Sequence, residues 1–404
     1  MSSHPVPSPP VTGASSSHPS RRLVNARIGI AVCFFVSGAM VSAWMSRIPV
    51  VKHQLGLSTA DLSVALIGMP AGLLIAMRAI PPVIARRSSA FVLRCAILLG
   101  ALSLGCLGLM RGLASLAVTL VFFGIATGAL DITMNVQGTA VERGYGRPIL
   151  SSLHAMYSIG ILLGALAGSV TLGLGVGSLS FFVGAAVSLA TLGLVYARAL
   201  LGETADATVQ TDRDDGRGQT QTRLLTQPRL LAAGIIAFSG LFVEGTVNDW
   251  AGVFLHQVRD ASFSFAALGA AAFGIGMASG RLAGDTFVER LGRQRTLSYA
   301  AVLGTVAMAA AVLVPVNAAS VGAFGILGLM VATMVPSAFS MAGGMAGLPP
   351  AWSISRLTTI GYLGTFASPA IIGFLADGTG LTAAMTLPAV LLLLVWPASR
   401  AAAR

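Results

Sequence analysis

Few residues in this chain could do chemistry, and those that could sit where a charge is hardest to keep. Asp131 interrupts an apolar run that begins at Leu113, and an ionisable group at bilayer depth costs about 2.5–3.5 kcal/mol on insertion scales. Glu244 lies within a second such run, with Asp249 nearer its end, and no Lys or Arg is expected at their depth. An acid in an apolar setting without a cationic partner takes or releases a proton according to what it faces, so proton exchange is the chemistry expected of Asp131 and Glu244, with Asp249 as a further candidate. The competing reading is an acid that stays neutral and ties two helices together, with Asn135 one turn from Asp131 and with Gly240 and Asn248 flanking Glu244.

Around these acids stand residues with two uses each. His154 shares a helical face with Ser151 and Ser158, as a proton relay, a substrate contact or a polar cap. Trp44 and Trp250 could stack on a sugar face, although anchoring at the membrane interface is the commoner use of tryptophan. Arg47 could bind an anionic group, but a place among lipid headgroups is the reading preferred, and Arg356 reads as ordinary charge at an inner helix end.

The elements that position these residues are helices. Read at 3.6 residues per turn, Gly124, Gly128, Asp131, Asn135 and Gly138 form one small and polar stripe on an apolar rod, a face suited to protein or water rather than lipid. The 404 residues are 55% hydrophobic and 10% charged, with a mean hydropathy of +0.83, which excludes an ordinary soluble domain of about 25% charged residues. Twelve apolar segments are long enough to span a bilayer: roughly 28 to 46, 61 to 79, 91 to 110, 114 to 138, 150 to 172, 179 to 198, 230 to 254, 264 to 284, 296 to 314, 320 to 340, 354 to 375 and 382 to 398.

The net charge of +11 comes from 24 Arg and the single lysine, Lys52. These residues are spread through short connections with no aromatic-interleaved cluster, so no nucleic-acid partner is expected. With a cytoplasmic N-terminus, the outer connections hold only Arg47, Lys52, Arg111 and Arg259, an asymmetry that places both termini in the cytoplasm. Cys33, Cys95 and Cys106 have no metal-ligand spacing and read as free, small hydrophobes.

Residues 1–27 read as a disordered cytoplasmic tail, 28–198 as a six-helix bundle, 199–229 as a polar cytoplasmic linker, 230–398 as a second six-helix bundle and 399–404 as a cytoplasmic end. The two halves look like copies: a shift of 206 pairs Trp44 with Trp250, Ser58 with Ser264, Ala60 with Ala266, Leu62 with Leu268 and Arg87 with Arg293, and sets Ser337 opposite Asp131. The expected fold is therefore an all-α polytopic membrane protein, twelve transmembrane helices in two pseudo-symmetric bundles, with a binding site near the midplane between them.

Between the eighth and ninth spans, Gly280, Gly284, Asp285, Arg290, Gly292 and Arg293 lie in the run GRLAGDTFVERLGRQR. This run resembles the cytoplasmic loop motif of the major facilitator superfamily. Gly280 and Gly284 permit close helix contact, and Asp285 can engage arginines at the inner surface and latch one conformation. The first-half loop has Ala79 where that shift would put the acid, but keeps Arg78, Arg86 and Arg87. Within the superfamily, Leu130, Asp131 and Asn135 resemble the fourth span of the fucose-permease-like branch, in which an acid at this place takes part in proton coupling and substrate binding. Glu142 to Arg147, His154 and the run from Glu244 to Trp250 resemble bacterial permeases whose substrates are mostly unassigned.

The resemblance implies a monomeric, proton-coupled secondary transporter of the inner membrane, moving a sugar or similar small polar solute by symport. No cofactor beyond the proton gradient is implied, because no phosphate-binding loop occurs. Efflux antiport is the alternative. The fifth span has Ala165 where the antiporter motif has proline, while Gly364, Ser368, Pro369 and Gly373 offer a similar bend in the eleventh, which favours symport. A polytopic enzyme or sensor is a lesser alternative, since His4, His18, His53, His154 and His256 are scattered and form no metal or catalytic set.

Overall fold

The computed structural model describes residues 20–146, 149–202, 227–343, 345 and 350–403. The tail up to residue 19, the linker from 203 to 226 and Arg147 lie outside that set. Among the described residues, twelve helices are long and apolar enough to cross a membrane: α1 (Arg21–Gln54), α2 (Thr59–Arg86), α3 (Ser89–Leu107), α4 (Leu113–Tyr145), α5 (Ser152–Gly173), α6 (Ser178–Ala199), α7 (Pro228–Gln257), α8 (Phe263–Gly284), α9 (Arg293–Leu313), α10 (Asn317–Ala342), α11 (Arg356–Thr379) and α12 (Leu381–Ala402). Several reach further than their apolar runs. The first starts at Arg21 rather than 28, capped by Ser20, whose hydroxyl accepts from the Leu23 amide. The fourth continues to Tyr145 rather than 138, and the last helix to Ala403 rather than 398.

Large apolar side chains such as Leu102, Val118, Val187, Leu282 and Val306 are exposed, as a lipid-facing surface requires. Inside each bundle, helices meet through glycines at backbone distance. A Cβ added at Gly124 in α4 would strike the Met69 carbonyl of α2, and one at Gly72 would strike the Val121 carbonyl. In the second half Gly328 meets the Phe273 carbonyl and Gly276 the Gly325 carbonyl. All four positions repeat at a displacement of 204.

The register of the repeat is thus 204 through α2–α4 and α8–α10, not 206. The helix-capping serines confirm it: Ser58 accepts from the Asp61 amide and Ser262 from the Phe265 amide, so Ser262, not Ser264, matches Ser58. In α1 and α7, the carbonyl that approaches Gly160 is Phe35 and the one that approaches Gly364 is Phe238, a displacement of 203. Trp250 therefore matches Arg47 rather than Trp44, and Asp131 matches Val335 rather than Ser337. The displacement rises from 203 to 204 because the connection between the first two spans is one residue longer in the second half.

Gln137, fully buried, ties the inner part of α4 to its neighbours. Its amide nitrogen donates to Ser89 Oγ (2.7 Å) and the Leu201 carbonyl (2.9 Å), and its oxygen accepts from the Leu201 amide (3.0 Å). The Glu142 carboxylate accepts from the Ile149 and Leu150 amides and so caps the helix that follows, Leu150–Gly173.

Candidate functional site: a polar cluster between the two bundles

The two bundles meet at the end of the molecule opposite the termini. There Lys52 Nζ donates to Gln257 Oε1 (2.9 Å), Ser169 Oγ donates to the Ser264 carbonyl (2.7 Å), Ser63 fills the space beside Gly373, and Pro49 lies against Gly252. Inward of this seam, toward the termini, polar residues of both halves converge.

Asp131 reaches this region from α4. Its Oδ1 accepts from Asn135 Nδ2 (3.2 Å), and the same nitrogen donates to the Asp131 carbonyl (2.8 Å), as the one-turn spacing dictates. Glu244 enters from α7 and faces Arg281 of α8, with Oε1 3.9 Å from Nη2. Their side chains are 29% and 40% exposed, so this is a hydrated and separable pair rather than a buried one. The Tyr157 hydroxyl of α5 interacts electrostatically with Glu244, Asp131, Arg281 and Tyr362, and Tyr362 of α11 interacts with Asp131 and Glu244. His154, exposed one turn from Tyr157, interacts with Arg281 and sets its ring edge-on to Phe34 at 5.0 Å between centroids.

The site thus contains Asp131, Asn135, His154 and Glu244 from the expected set, and adds Tyr157, Arg281 and Tyr362. Arg281 corrects the expectation that no cation lies at the depth of the acids. It stands in the loop-motif run, but the helix that carries α8 continues unbroken to Leu291, and its inner part turns Arg281 toward Glu244. Asp249 and Asn248 lie nearer the sealed end with no hydrogen-bond partner among the described residues, and Asp249 is outside the electrostatic cluster.

The tryptophans do neither of the things expected of them. Trp44 is 1% exposed and packs on Phe182 inside the first bundle, and Trp250 is 0% exposed against the Gly373 segment. Arg47 is not among headgroups. It is 0% exposed, with Nη1 donating to the Val176 carbonyl (3.0 Å), Nη2 to Thr171 Oγ1 (2.8 Å), and its guanidinium 4.2 Å from the Phe181 ring centre.

A sequence model of the Major Facilitator Superfamily matches residues 30–353. The chain belongs to the Major Facilitator Superfamily. Relatives include an uncharacterised MFS-type transporter of Yersinia pestis, 31% identical over 383 residues, covering 94% of this chain and 97% of that protein. The membrane protein MosC of Rhizobium meliloti is 29% identical over 380 residues, covering 92% and 88%. Among solved structures, the nucleoside transporter NupG superposes with a TM-score of 0.74 at 13% identity, covering 94% of this chain and 99% of that one. A bacterial homologue of the human lysosomal transporter Spinster, inward-facing and occupied, gives 0.74 at 16% identity, covering 96% and 98%. Like its superfamily, the chain is a secondary transporter of a small solute, not an enzyme, and a multi-pass membrane protein.

The superfamily's loop motif sits at the end that carries the termini. Gly280 packs on the Leu329 carbonyl and Ala332, and Gly284 on Thr333, so these glycines seat α8 against α10 within one bundle. Gly292 adopts φ +80, the left-handed region that glycine enters without a Cβ penalty, and there breaks the helix. Arg290 is exposed, Arg293 donates to Ser340 Oγ of α10 (2.8 Å), and the Asp285 side chain lies outside the described set.

Proposed function

We propose that the chain is a proton-coupled symporter of the inner membrane, both termini cytoplasmic, that moves a small polar solute such as a sugar through a site held by one chain. The observation that carries this reading is the division of labour between the two acids. Among the described residues the Asp131 carboxylate has one hydrogen-bond partner, the neutral amide of Asn135, whereas Glu244 faces a guanidinium. A carboxyl group without a counter-charge can exchange a proton as its surroundings change, whereas one opposite an arginine has a charged partner to hold. Asp131 is therefore the proton carrier, and Glu244 with Arg281 forms a separable pair that a solute can enter.

Two tyrosine hydroxyls, an asparagine amide and a hydrated ion pair offer donors and acceptors from both halves to a solute rich in hydroxyls. The seam closes the far end, so the cluster communicates with the side that holds the termini, and rocking the bundles about the site would exchange that access for the other.

The test is a pH measurement inside proteoliposomes. A thermal-stabilisation screen of the purified protein against sugars and related polar metabolites identifies a solute, and its influx is then followed with a lumenal pH dye. Symport requires the lumen to acidify as the solute enters; alkalinisation would establish antiport instead.

A further inference from the structure

The seam contains a charge that the proton and solute chemistry does not use. Lys52, the chain's single lysine, is 5% exposed, and its ammonium has two neutral partners: Gln257 Oε1 across the seam (2.9 Å) and Thr59 Oγ1 within its own half (3.3 Å). No carboxylate pairs with it among the described residues. On either side, the Phe263 ring of the second half receives His53 from the first, edge-on at 5.8 Å, and His256 from its own half, stacked at 3.9 Å. Elsewhere in the seam Ser169 donates to the Ser264 carbonyl and Ser63 lies beside Gly373.

Removing an ammonium from water is costly, and neutral hydrogen bonds offset only part of that cost. We infer that Lys52 is the residue that keeps the sealed end reopenable: its uncompensated charge opposes the closed seam, while its bond to Gln257 aligns the halves as they close. When the halves part, Lys52 regains water, and when they meet, it gives that water up. Removing the charge and removing its acceptor must therefore act in opposite directions. An ordinary structural hydrogen bond would make both variants loosen the seam alike.

The experiment reads the separation of the halves at that end. Ala114 and Ala318, exposed in the first turns of α4 and α10 and matched by the 204 register, are changed to cysteine and spin-labelled in a chain whose Cys33, Cys95 and Cys106 are replaced by alanine. Pulsed dipolar spectroscopy in proteoliposomes then gives the ratio of open to sealed populations. The expected ratio falls about tenfold in Lys52→Met and in Gln257→Glu, which supplies the missing carboxylate, and rises in Gln257→Ala. Lys52→Gln, which keeps length and polarity, replaces the methionine variant if that chain does not fold. The inference is overturned if neutralising Lys52 opens the seam as Gln257→Ala does or leaves the ratio unchanged. A wild-type chain with no measurable open population also overturns it, because the uncompensated charge is then not enough to keep the seam near balance.

Discussion

Replacing Asp131 with asparagine preserves the size of the side chain and its place beside Asn135 while removing the group that can carry a proton. The proposed division of labour between the two acids carries an expected stoichiometry. Glu244 faces Arg281 at 3.9 Å, whereas Asp131 is hydrogen-bonded to Asn135 and has no cationic partner among the described residues, so the proposal expects one proton carrier per cycle. One proton moving down a gradient of one pH unit supplies about 1.4 kcal/mol, enough to accumulate a neutral solute about tenfold. If both acids carried protons, the limit would be about a hundredfold for the same gradient. The assay is steady-state accumulation in proteoliposomes with the membrane potential clamped at zero, using the solute from the stabilisation screen. The logarithm of the accumulation ratio plotted against the pH difference is expected to have a slope of one in wild type. In Asp131→Asn the slope should be zero, while exchange of labelled for unlabelled solute at equal pH continues. A wild-type slope of two, or accumulation that survives in Asp131→Asn, refutes the reasoning.

Tyr157→Phe and Tyr362→Phe each remove one hydroxyl from the cluster and should weaken apparent solute affinity about three- to tenfold without unfolding the protein, as a neutral hydrogen bond of about 0.5–1.5 kcal/mol implies; isothermal titration checks this. Arg47→Lys loses the two-pronged contact with Val176 and Thr171, so the melting temperature should drop while solute affinity holds, whereas an affinity loss at unchanged stability would make Arg47 a solute ligand. Gly124→Leu drives a side chain into the Met69 carbonyl and should cost about 1–3 kcal/mol, the range for overpacking, seen as a lower denaturation midpoint in detergent.

The apolar runs made the twelve spans legible because hydrophobic length is a local property, read without knowing how any helix is turned. Asp131 was legible for the same reason, since a lone acid in such a run stands out wherever it points. Tyr157, Tyr362 and Arg281 were not, because an aromatic in an apolar run and an arginine near a loop carry no local anomaly. What singles them out is the rotation of α5, α8 and α11 about their axes, which packing against neighbouring helices decides. Trp44, Trp250 and Arg47 failed in the opposite way. Their residue types suggested interfaces, but close packing of α1 on α5 and α6 and of α7 on α11 buries them. The repeat was visible at an incorrect displacement because scattered identities occur at neighbouring displacements alike, and the glycine contacts that fix 204 are visible only once helices are paired.

The register of the repeat bears on how such a molecule can arise. At matching places the second bundle has Val335 for Asp131, and the first has Met77 for Arg281 and Val41 for Glu244. At these three places a pair of first halves would contain two acids and no cation, and a pair of second halves two ion pairs. Doubling an ancestral unit could supply the cradle but not its chemistry. On the proposed roles of these residues, the divergence of the two descendants is what completes the site, and neither bundle could be exchanged for a copy of the other.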